Sequence, residues 1–165
     1  MEKALSNITV LDLTRVLAGP YCTMMLADYG ANVIKIEMPG KGDDTRAMGP
    51  KTNDYSMDYA YVNRGKKGIT LNLKSEEGKK LFLEMVKKAD VVVENYRPGV
   101  MDKLGVGDDV LKEVNDQIIY AAVSGFGCSG PKHPRPGYDI IAPAPSGLLG
   151  FTGEAGGQPL RVGNA

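Results

Sequence analysis

The sequence predicts an α/β domain built on a mostly parallel sheet, and two observations support this fold class. Four short segments rich in β-branched residues are apolar along nearly their whole length, which is typical of strands in a sheet that is covered on both faces. Segments with helical periodicity lie between them, so strands and helices alternate along the chain. Such alternation is the pattern of α/β domains, in which helices connect parallel strands by right-handed crossovers.

The predicted strands span residues 8–13, 33–37, 91–94 and 118–124. Their sequences are ITVLDL, VIKIE, VVVE and IIYAAVS, so each contains several Val or Ile residues. Short runs of this kind are typical of buried strands, and we expect them to pair in one sheet.

Two helices are predicted between the strands, over residues 20–29 and 75–89. The first begins with Pro20, which suits a first helical turn, and ends before Gly30, which commonly stops a helix. The second begins with Ser75 as a capping residue, followed by two glutamates that favour the positive end of the helix dipole. One face of the second helix carries the apolar residues Leu81, Phe82, Met85 and Val86.

The composition changes at Gly125, and residues 125–157 are rich in glycine and proline with scattered large apolar side chains. We predict an ordered loop, a short helix over residues 139–149 and a second loop. The segment opens with GFGCSG, which matches the dinucleotide-binding pattern GxGxxG. The prolines that follow exclude the required helix start, and the acidic residue expected about twenty positions later is missing, so NAD binding is disfavoured.

The composition also excludes several classes of function. The chain has 165 residues, and 20 Lys and Arg balance 20 Asp and Glu, so bulk positive charge cannot drive binding to nucleic acid. His133 is the only histidine, which excludes a metal site built from several histidines. Cys22 and Cys128 form no CxxC pair and fit a reducing compartment, and no apolar run is long enough to cross a bilayer. We therefore expect a cytoplasmic protein without a bound metal or a membrane contact.

Small and polar residues follow the predicted strands at two places. The loop RVLAGP, residues 15–20, joins the first strand to the first helix. Its small residues let a ligand approach the backbone and its helix-start amides favour phosphate, although an ordinary turn explains the same residues. The segment ENYRPG follows the third strand, where ligands collect in open α/β sheets. In it, Asn95 could bind an amide or purine edge and Tyr96 could stack on a ring, or the segment could be a structural turn.

Charged residues form two further candidates. Arg64, Lys66, Lys67 and Lys74 lie close together in the sequence, where they form either a solvated surface or a site for a phosphate-rich ligand. Asp139 follows Tyr138 at the start of the predicted third helix, and an aspartate there is a helix cap by default or a catalytic carboxylate by the alternative interpretation.

Taken together, these segments resemble class III CoA-transferases, the family of formyl-CoA transferase, carnitine CoA-transferase and 2-methylacyl-CoA racemase. The matching stretches cover residues 10–46, 63–82, 89–105, 118–131 and 137–163, in order and with matching spacings. The resemblance implies a Rossmann-like sheet. It also implies that residues 1–165, a length that suits one domain or part of a larger one, are the N-terminal coenzyme A-binding segment cut from members of about 400 residues. The whole protein would be an interlocked homodimer.

The resemblance further implies which residues bind coenzyme A or its acyl ester. The positions that match the family's contacts are Val16, Leu17, Ala18, Leu71, Lys74, Asn95, Tyr96, Lys103, Tyr138 and Asp139. Four positions depart from the pattern of the family. Leu17 stands where formyl-CoA transferase has glutamine, and Met38 stands where many members have arginine. Lys103 interchanges with arginine, and Pro143 occupies a position where glutamine is common.

By the same resemblance, the full-length enzyme moves coenzyme A from an acyl-CoA donor to a carboxylic acid through an aspartyl-CoA thioester. Its nucleophilic aspartate matches a position about three residues beyond Ala165, so we expect no catalytic nucleophile in this chain and no activity from it alone. Coenzyme A is then a substrate and not a permanently bound cofactor.

Two alternatives stay open at this point. The first is an acyl-CoA racemase of the same family, but the racemase has a histidine where this chain has Tyr138, and tyrosine is a poor base near neutral pH. The second is a coenzyme A-binding module without catalytic activity.

Overall fold

The computed structural model describes residues 3–138, 141 and 144–160. The chain divides into two compact units, Met1–Val123 and Ser124–Ala165. The first unit has the predicted α/β fold with a parallel sheet, whereas the described part of the second unit consists mainly of turns and loops.

Strands and helices alternate through the first unit. Two short strands, which form a separate small sheet, lie between the second and third strands of the main sheet in chain order. In chain order the elements are β1 (Thr9–Asp12), α1 (Ala18–Asp28), β2 (Asn32–Glu37), a 3-10 helix (Asp44–Ala47), β3 (Lys51–Thr52), β4 (Tyr55–Ser56), α2 (Met57–Asn63), β5 (Lys67–Thr70), α3 (Glu76–Val86), β6 (Val91–Glu94), α4 (Val100–Lys103), α5 (Asp108–Val114) and β7 (Ile119–Ala122).

The main sheet has the strand order β5-β2-β1-β6-β7, and all of its neighbouring strands are parallel. In the register, Leu11 lies beside Ile34 on one side and Val92 on the other. The chain first moves outward from β1 to β2 and β5, then crosses back to the other side of β1 to form β6 and β7. The strand order therefore reverses between β1 and β6, which is the usual position of a ligand-binding crevice in such sheets.

Alternation of side chains along the central strands builds a core on each face of the sheet. Leu11 and Val92 belong to the larger core, which also contains Phe82 and Val86 from α3 and Leu111 from α5. Val10, Val33 and Val93 belong to the smaller core, which packs against Ala27 of α1. The central strands β1, β2 and β6 are thus covered on both faces, in agreement with their nearly continuous apolar sequences.

The starts of the two predicted helices follow from local chemistry. The hydroxyl of Ser75 accepts a hydrogen bond from the amide of Gly78 at 3.1 Å, which confirms Ser75 as the cap of α3. Helix α1 begins at Ala18, ahead of the predicted start at Pro20. Proline is tolerated there because amide groups in the first turn have no partner within a helix.

The four predicted strands are confirmed, and the fifth, β5, was not predicted. Its sequence KGIT is short, contains glycine and is exposed at all four positions, because β5 is the edge strand of the sheet. It therefore lacks the apolar run that marks a buried strand. The short helices α2, α4 and α5 were also not predicted.

In the second unit, the prediction of a helix over residues 139–149 is wrong for the part that the structure describes. Residues 144–147 form turns, and a 3-10 helix covers Leu148–Phe151. Residues 139, 140, 142 and 143 lie outside the described residues. Pro145 and Gly147 disfavour an α-helix in this stretch.

The glycine pattern that opens the second unit leads into turns over residues 131–134, not into a helix. Gly125 and Gly137 pass so close that a Cβ on either residue would overlap the backbone of the other. These two glycines therefore serve close backbone packing, and the described residues lack the helix that a dinucleotide-binding loop requires.

Candidate functional site

A cavity of about 450 Å³ opens at the carboxyl-terminal edge of the main sheet. Segments that follow β1, β2, β5 and β6 line it, so the cavity spans the point at which the strand order reverses. Its polar lining comes from Thr14, Arg15, Glu37, Asp43, Asn72, Lys74, Tyr96 and Arg97. Its apolar lining comes from Leu13, Ile36, Met38, Leu71, Leu73, Val100 and Leu104.

Asn95 joins the loop after β6 to the loop after β1. The backbone amide of Arg15 donates to Asn95 Oδ1 at 2.7 Å, and Asn95 Nδ2 donates to the Arg15 carbonyl at 2.7 Å. A side-chain amide can satisfy one backbone donor and one backbone acceptor in this way. Gly19 at the start of α1 lies against the same junction, since a Cβ there would stand 3.2 Å from Asn95 Cγ and 2.5 Å from Thr14 Cβ.

Tyr96 lines the cavity and is held through its own backbone. Its amide donates to Glu94 Oε2 at 2.6 Å, and the Tyr120 hydroxyl donates to Glu94 Oε1 at 3.1 Å. Burial raises the pKa of Glu94, while these two hydrogen bonds oppose the rise. The Arg15 guanidinium carbon lies 5.2 Å from the centre of the Tyr96 ring, within range of a cation–π interaction.

Val16 adopts the left-handed backbone conformation, with φ at 67°. For a β-branched residue this conformation is rare and costs roughly 1–3 kcal/mol. The residue is 40% exposed, so burial of apolar surface does little to offset this cost. The Val16 amide donates to Asp43 Oδ1 at 3.2 Å, and Asp43 is in turn paired with Lys35 at 2.9 Å.

A second buried pair, between Asp12 and Lys66, contacts the first turns of α1. Lys66 Nζ donates to Asp12 Oδ2 at 2.9 Å, to the Pro20 carbonyl at 2.9 Å and to Asn63 Oδ1 at 3.0 Å. The hydroxyl of Thr23 on α1 donates to the same Asp12 oxygen at 2.7 Å. Burial lowers the pKa of Lys66, and the Asp12 carboxylate opposes that effect. This pair fixes α1 to the carboxyl end of β1.

A third polar cluster anchors the 3-10 helix Asp44–Ala47 to β2. Glu37 accepts hydrogen bonds from Arg46 Nε at 2.7 Å, from the Tyr59 hydroxyl at 2.7 Å and from the Asp43 amide at 2.8 Å. Burial acts to raise the pKa of Glu37, but these three hydrogen bonds outweigh it and lower the pKa to about 2. Glu37 therefore carries a negative charge that Arg46 compensates.

The charges around the cavity favour an anionic ligand. The two acids in its lining are compensated, Glu37 by Arg46 at 2.7 Å and Asp43 by Lys35 at 2.9 Å. Among the cations, Lys74 and Arg97 have no side-chain partner within residues 3–138, 141 and 144–160. Arginine binds phosphate as a planar fork and lysine as a point charge, so both suit a phosphorylated ligand.

Comparison with known proteins decides the family. The family model of CoA-transferase family III matches residues 5–165. The chain is 53% identical over 157 residues to an acetyl-CoA:oxalate CoA-transferase of Acetobacter aceti, covering 95% of this chain and 40% of that protein. It is 48% identical over 164 residues to the human succinyl-CoA:glutarate CoA-transferase, covering 99% of this chain and 37% of that protein.

The chain belongs to CoA-transferase family III. A crystal structure of a CAIB/BAIF family protein from Brucella suis superposes with a TM-score of 0.92 at 39% sequence identity, covering 99% of this chain and 44% of that one. Both comparisons confirm the family and the α/β fold that the sequence predicted. The chain spans about two-fifths of the length of these relatives.

Against this family background, three of the ten predicted contact residues line the cavity, namely Leu71, Lys74 and Tyr96. Asn95 fixes the neighbouring loop, and Val16, Leu17 and Ala18 are exposed on that loop and at the start of α1. Lys103 is exposed on α4, directly before the lining residue Leu104. The predicted segments 16–18, 71–74 and 95–96 therefore meet at one edge of the sheet.

The other two predicted contacts of the family belong to the second unit. Tyr138 is exposed there, and Asp139 lies outside the described residues. Their proposed contact with an acyl thioester stays a prediction.

The interpretation of the four clustered cations as one phosphate site is wrong. Lys66 is buried against Asp12, Arg64 pairs with Asp28 at 2.5 Å, and Lys67 donates to Asn32 Oδ1 at 2.6 Å. Lys74 alone among the four lines the cavity. The other three side chains hold α1, α2 and β5 in place.

Several residues of the site were not found from the sequence, above all Asp43, Lys35 and Arg97. A signal for the first two was present, since Lys35 interrupts the apolar strand VIKIE and Asp43 occurs in the following polar loop. A charged residue in a strand that is buried on both faces requires a partner of opposite charge nearby. Arg97 follows Asn95 and Tyr96 directly, but an arginine in a loop is usually a solvated surface residue, so the sequence did not distinguish it as a cavity residue.

Two further results concern other kinds of site. In the part of the chain that the structure describes, no three His, Cys, Asp or Glu side chains come together as a metal site would require. No described helix has both the length and the apolar character needed to cross a membrane.

Proposed function

We propose that residues 1–165 form the coenzyme A-binding part of a CoA-transferase that moves coenzyme A from an acyl-CoA to a carboxylic acid. The observation that carries this proposal is the cavity where the strand order reverses, lined by apolar side chains and by two cations, Lys74 and Arg97, that have no side-chain partner among the residues the structure describes. The names of its relatives pair an acyl-CoA with a dicarboxylic acid, oxalate or glutarate. We extend that class of reaction to this chain.

Coenzyme A combines a phosphorylated adenine nucleotide with a long uncharged arm that ends in a thiol. The cavity supports such a ligand because Lys74 and Arg97 suit the phosphates, whereas Leu71 and Tyr96 suit a flat apolar ring. Its volume of about 450 Å³ lies in the usual range of small-molecule sites. Coenzyme A is a substrate in this proposal, and no group is permanently bound.

The proposed reaction uses an aspartate carboxylate that lies outside residues 1–165. This carboxylate attacks the thioester carbonyl, the carbon–sulfur bond breaks, and a mixed anhydride and the coenzyme A thiolate result. The thiolate then attacks the aspartyl carbonyl of the anhydride, which releases the donor acid and leaves an aspartyl-CoA thioester. The acceptor carboxylate attacks this thioester, and the thiolate returns to the acceptor carbonyl, which restores the aspartate.

Residues 1–165 contribute to this reaction by binding the nucleotide end of coenzyme A. Tight binding at a distance from the reacting sulfur keeps the thiolate in the site between two steps. We therefore propose that the 165-residue chain binds coenzyme A but does not transfer it. The interlocked homodimer and the cytoplasmic location stay predictions.

The proposal is tested by calorimetric titration of the 165-residue chain with coenzyme A, NAD and pantetheine, which lacks the nucleotide. We expect Lys74→Ala or Arg97→Ala to weaken coenzyme A binding by about tenfold and to leave pantetheine binding unchanged. Lys88→Ala is the matched control, because Lys88 is exposed after α3 at the opposite edge of the sheet. Absence of coenzyme A binding, or equal binding of NAD, would contradict the proposal.

Catalysis is tested separately, by following exchange of coenzyme A between an acyl-CoA and a free acid. We expect no turnover from residues 1–165, and turnover comparable with that of a full-length relative would contradict this part of the proposal. Deuterium incorporation at the acyl α-carbon by a full-length protein would favour racemisation over transfer.

A further inference from the structure

The loop between β1 and α1 is held in place from two neighbouring strands. On one side Asn95 bonds both backbone groups of Arg15. On the other side Lys35 Nζ donates to the Thr14 carbonyl at 2.8 Å, and Asp43 Oδ1 accepts from the Val16 amide at 3.2 Å. Each residue from Thr14 to Val16 thus has a backbone group fixed by a side chain from outside the loop.

Lys35 and Asp43 form the better protected of these two attachments. Lys35 is 1% exposed and Asp43 is 2% exposed, and their charged atoms lie 2.9 Å apart. Asp43 also accepts hydrogen bonds from the amide and the hydroxyl of Thr45, at 3.0 Å and 2.8 Å. Because these contacts hold the two side chains in one arrangement, the pair can fix the position of the loop backbone groups that it binds.

Burial of its own side chain does not explain the backbone conformation of Val16. Val16 is in the left-handed region, yet its side chain and that of Leu17 are both exposed. Leu17 lies at the start of α1 without a side-chain cap on the helix. The turn at Val16 therefore sets the orientation of the backbone at Leu17 and Ala18, where α1 begins, and does not bury an apolar side chain.

We propose that Asp43, neutralised by Lys35, is a positioning residue that holds Val16 in the left-handed conformation needed for coenzyme A binding. This inference rests on the proposed function of the cavity, which Asp43, Thr14 and Arg15 line. Lys35 has a second effect, because an uncompensated carboxylate in this lining would repel the phosphates of the ligand.

The test replaces Lys35 and Asp43 in the same variant, because replacement of only one partner would leave the other as an uncompensated buried charge. In the double variant Lys35→Met, Asp43→Ala, we expect the Val16 amide to lose protection from hydrogen exchange while the β1 amides of Val10 and Leu11 keep theirs. We expect coenzyme A affinity to fall about tenfold to a hundredfold, because Val16 leaves the left-handed region. Addition of Val16→Gly should restore part of that affinity, since glycine adopts a positive φ without a steric cost.

Three results would overturn the inference. The first is a folded double variant that binds coenzyme A within about twofold of the unmodified chain. The second is a loss of affinity that Val16→Gly does not restore, because the pair would then act by another route. The third is an unchanged exchange rate of the Val16 amide in the double variant.

Two further outcomes have defined meanings. If the double variant does not fold, Val16→Pro replaces it, because proline fixes φ near −65° and excludes the left-handed conformation. Full coenzyme A affinity in Val16→Pro would overturn the inference, and loss of affinity would support it. If the unmodified chain does not bind coenzyme A, the proposed function fails, and the exchange rate of Val16 alone decides whether the pair holds the loop.

Discussion

The side-chain amide of Asn95 pairs with both backbone polar groups of Arg15, through two hydrogen bonds of 2.7 Å each. The two residues are far apart in the sequence and follow the two strands, β1 and β6, between which the strand order reverses. This pairing fixes the distance between the two loops that border the cavity, so the shape of the cavity depends on it.

Asn95→Ala removes both hydrogen bonds to Arg15. We expect a loss of about 1–3 kcal/mol in the free energy of unfolding and a weaker affinity for coenzyme A. Asn115→Ala is the matched control, because Asn115 Nδ2 also donates to two backbone carbonyls, of Val86 and Ala89, at 3.0 Å each. Urea denaturation and calorimetric titration should show that both variants lose stability and that only Asn95→Ala loses affinity. An equal loss of affinity in the control would contradict the assignment.

Gly19→Ala places a methyl group at the same junction. The new Cβ would stand 2.5 Å from Thr14 Cβ, so the loop or α1 must shift. We expect a loss of about 1–3 kcal/mol in the free energy of unfolding, as in other overpacked sites. Gly68→Ala on β5 is the control, because no atom lies within 4 Å of its Cβ position. Thermal unfolding that separates the two variants by less than a degree would contradict this account of Gly19.

Glu37 contributes stability that depends on pH. Its pKa is lowered from 4.5 to about 2, so the contribution is complete above pH 4.5 and disappears as the pH falls through the range down to about 2. The shift corresponds to about 3 kcal/mol, and solvent screening of the partly exposed Arg46 leads us to expect about 2 kcal/mol.

Glu37→Gln should therefore lower the free energy of unfolding by about 2 kcal/mol at pH 7, with a smaller difference at pH 3. Glu84→Gln is the control, because Glu84 forms an exposed ion pair with Lys87 and should change stability by less than about 1 kcal/mol. Urea denaturation at several pH values measures both. A difference for Glu37→Gln that does not change with pH would exclude this electrostatic origin.

Glu94 is expected to have the opposite pH dependence. Burial raises its pKa above 4.5, so its ionised form lowers stability, and that penalty disappears as the pH falls through the raised pKa. Glutamine keeps an acceptor for the Tyr96 amide and carries no charge. We expect Glu94→Gln to have a higher melting temperature than the unmodified chain at pH 8, with the difference decreasing toward pH 4.5. A lower melting temperature at pH 8 would show that the carboxylate is needed for the geometry of Tyr96.

The central strands and the two long helices could be predicted from the sequence because their signals are local. Val91–Glu94 is apolar because both of its faces are covered, and Ser75 caps α3 through a contact only three residues away. The edge strand Lys67–Thr70 escaped prediction because its neighbours, not its own residues, place it in the sheet.

The candidate site was only partly accessible from the sequence for the same reason. Tyr96 follows the predicted strand Val91–Glu94 and lies where parallel strands end, as the fold class predicts. Leu71 and Lys74 follow β5, which was not predicted, so the family resemblance and not the fold class indicated them. The pairing of Lys35 with Asp43, and of Lys66 with Asp12, depends on the path of the chain in three dimensions. Sequence proximity misleads here, since it grouped Lys66 with Lys74 although one is buried and the other faces the cavity.

The most direct test of the account follows the backbone amide signals of the isotope-labelled chain by NMR during titration with coenzyme A. We expect the largest shifts in residues 15–18, 71–74 and 95–97, with small changes near Lys88 and Ile118 at the opposite edge of the sheet. Saturable shifts confined to that opposite edge, or no saturable shifts at millimolar coenzyme A, would contradict it.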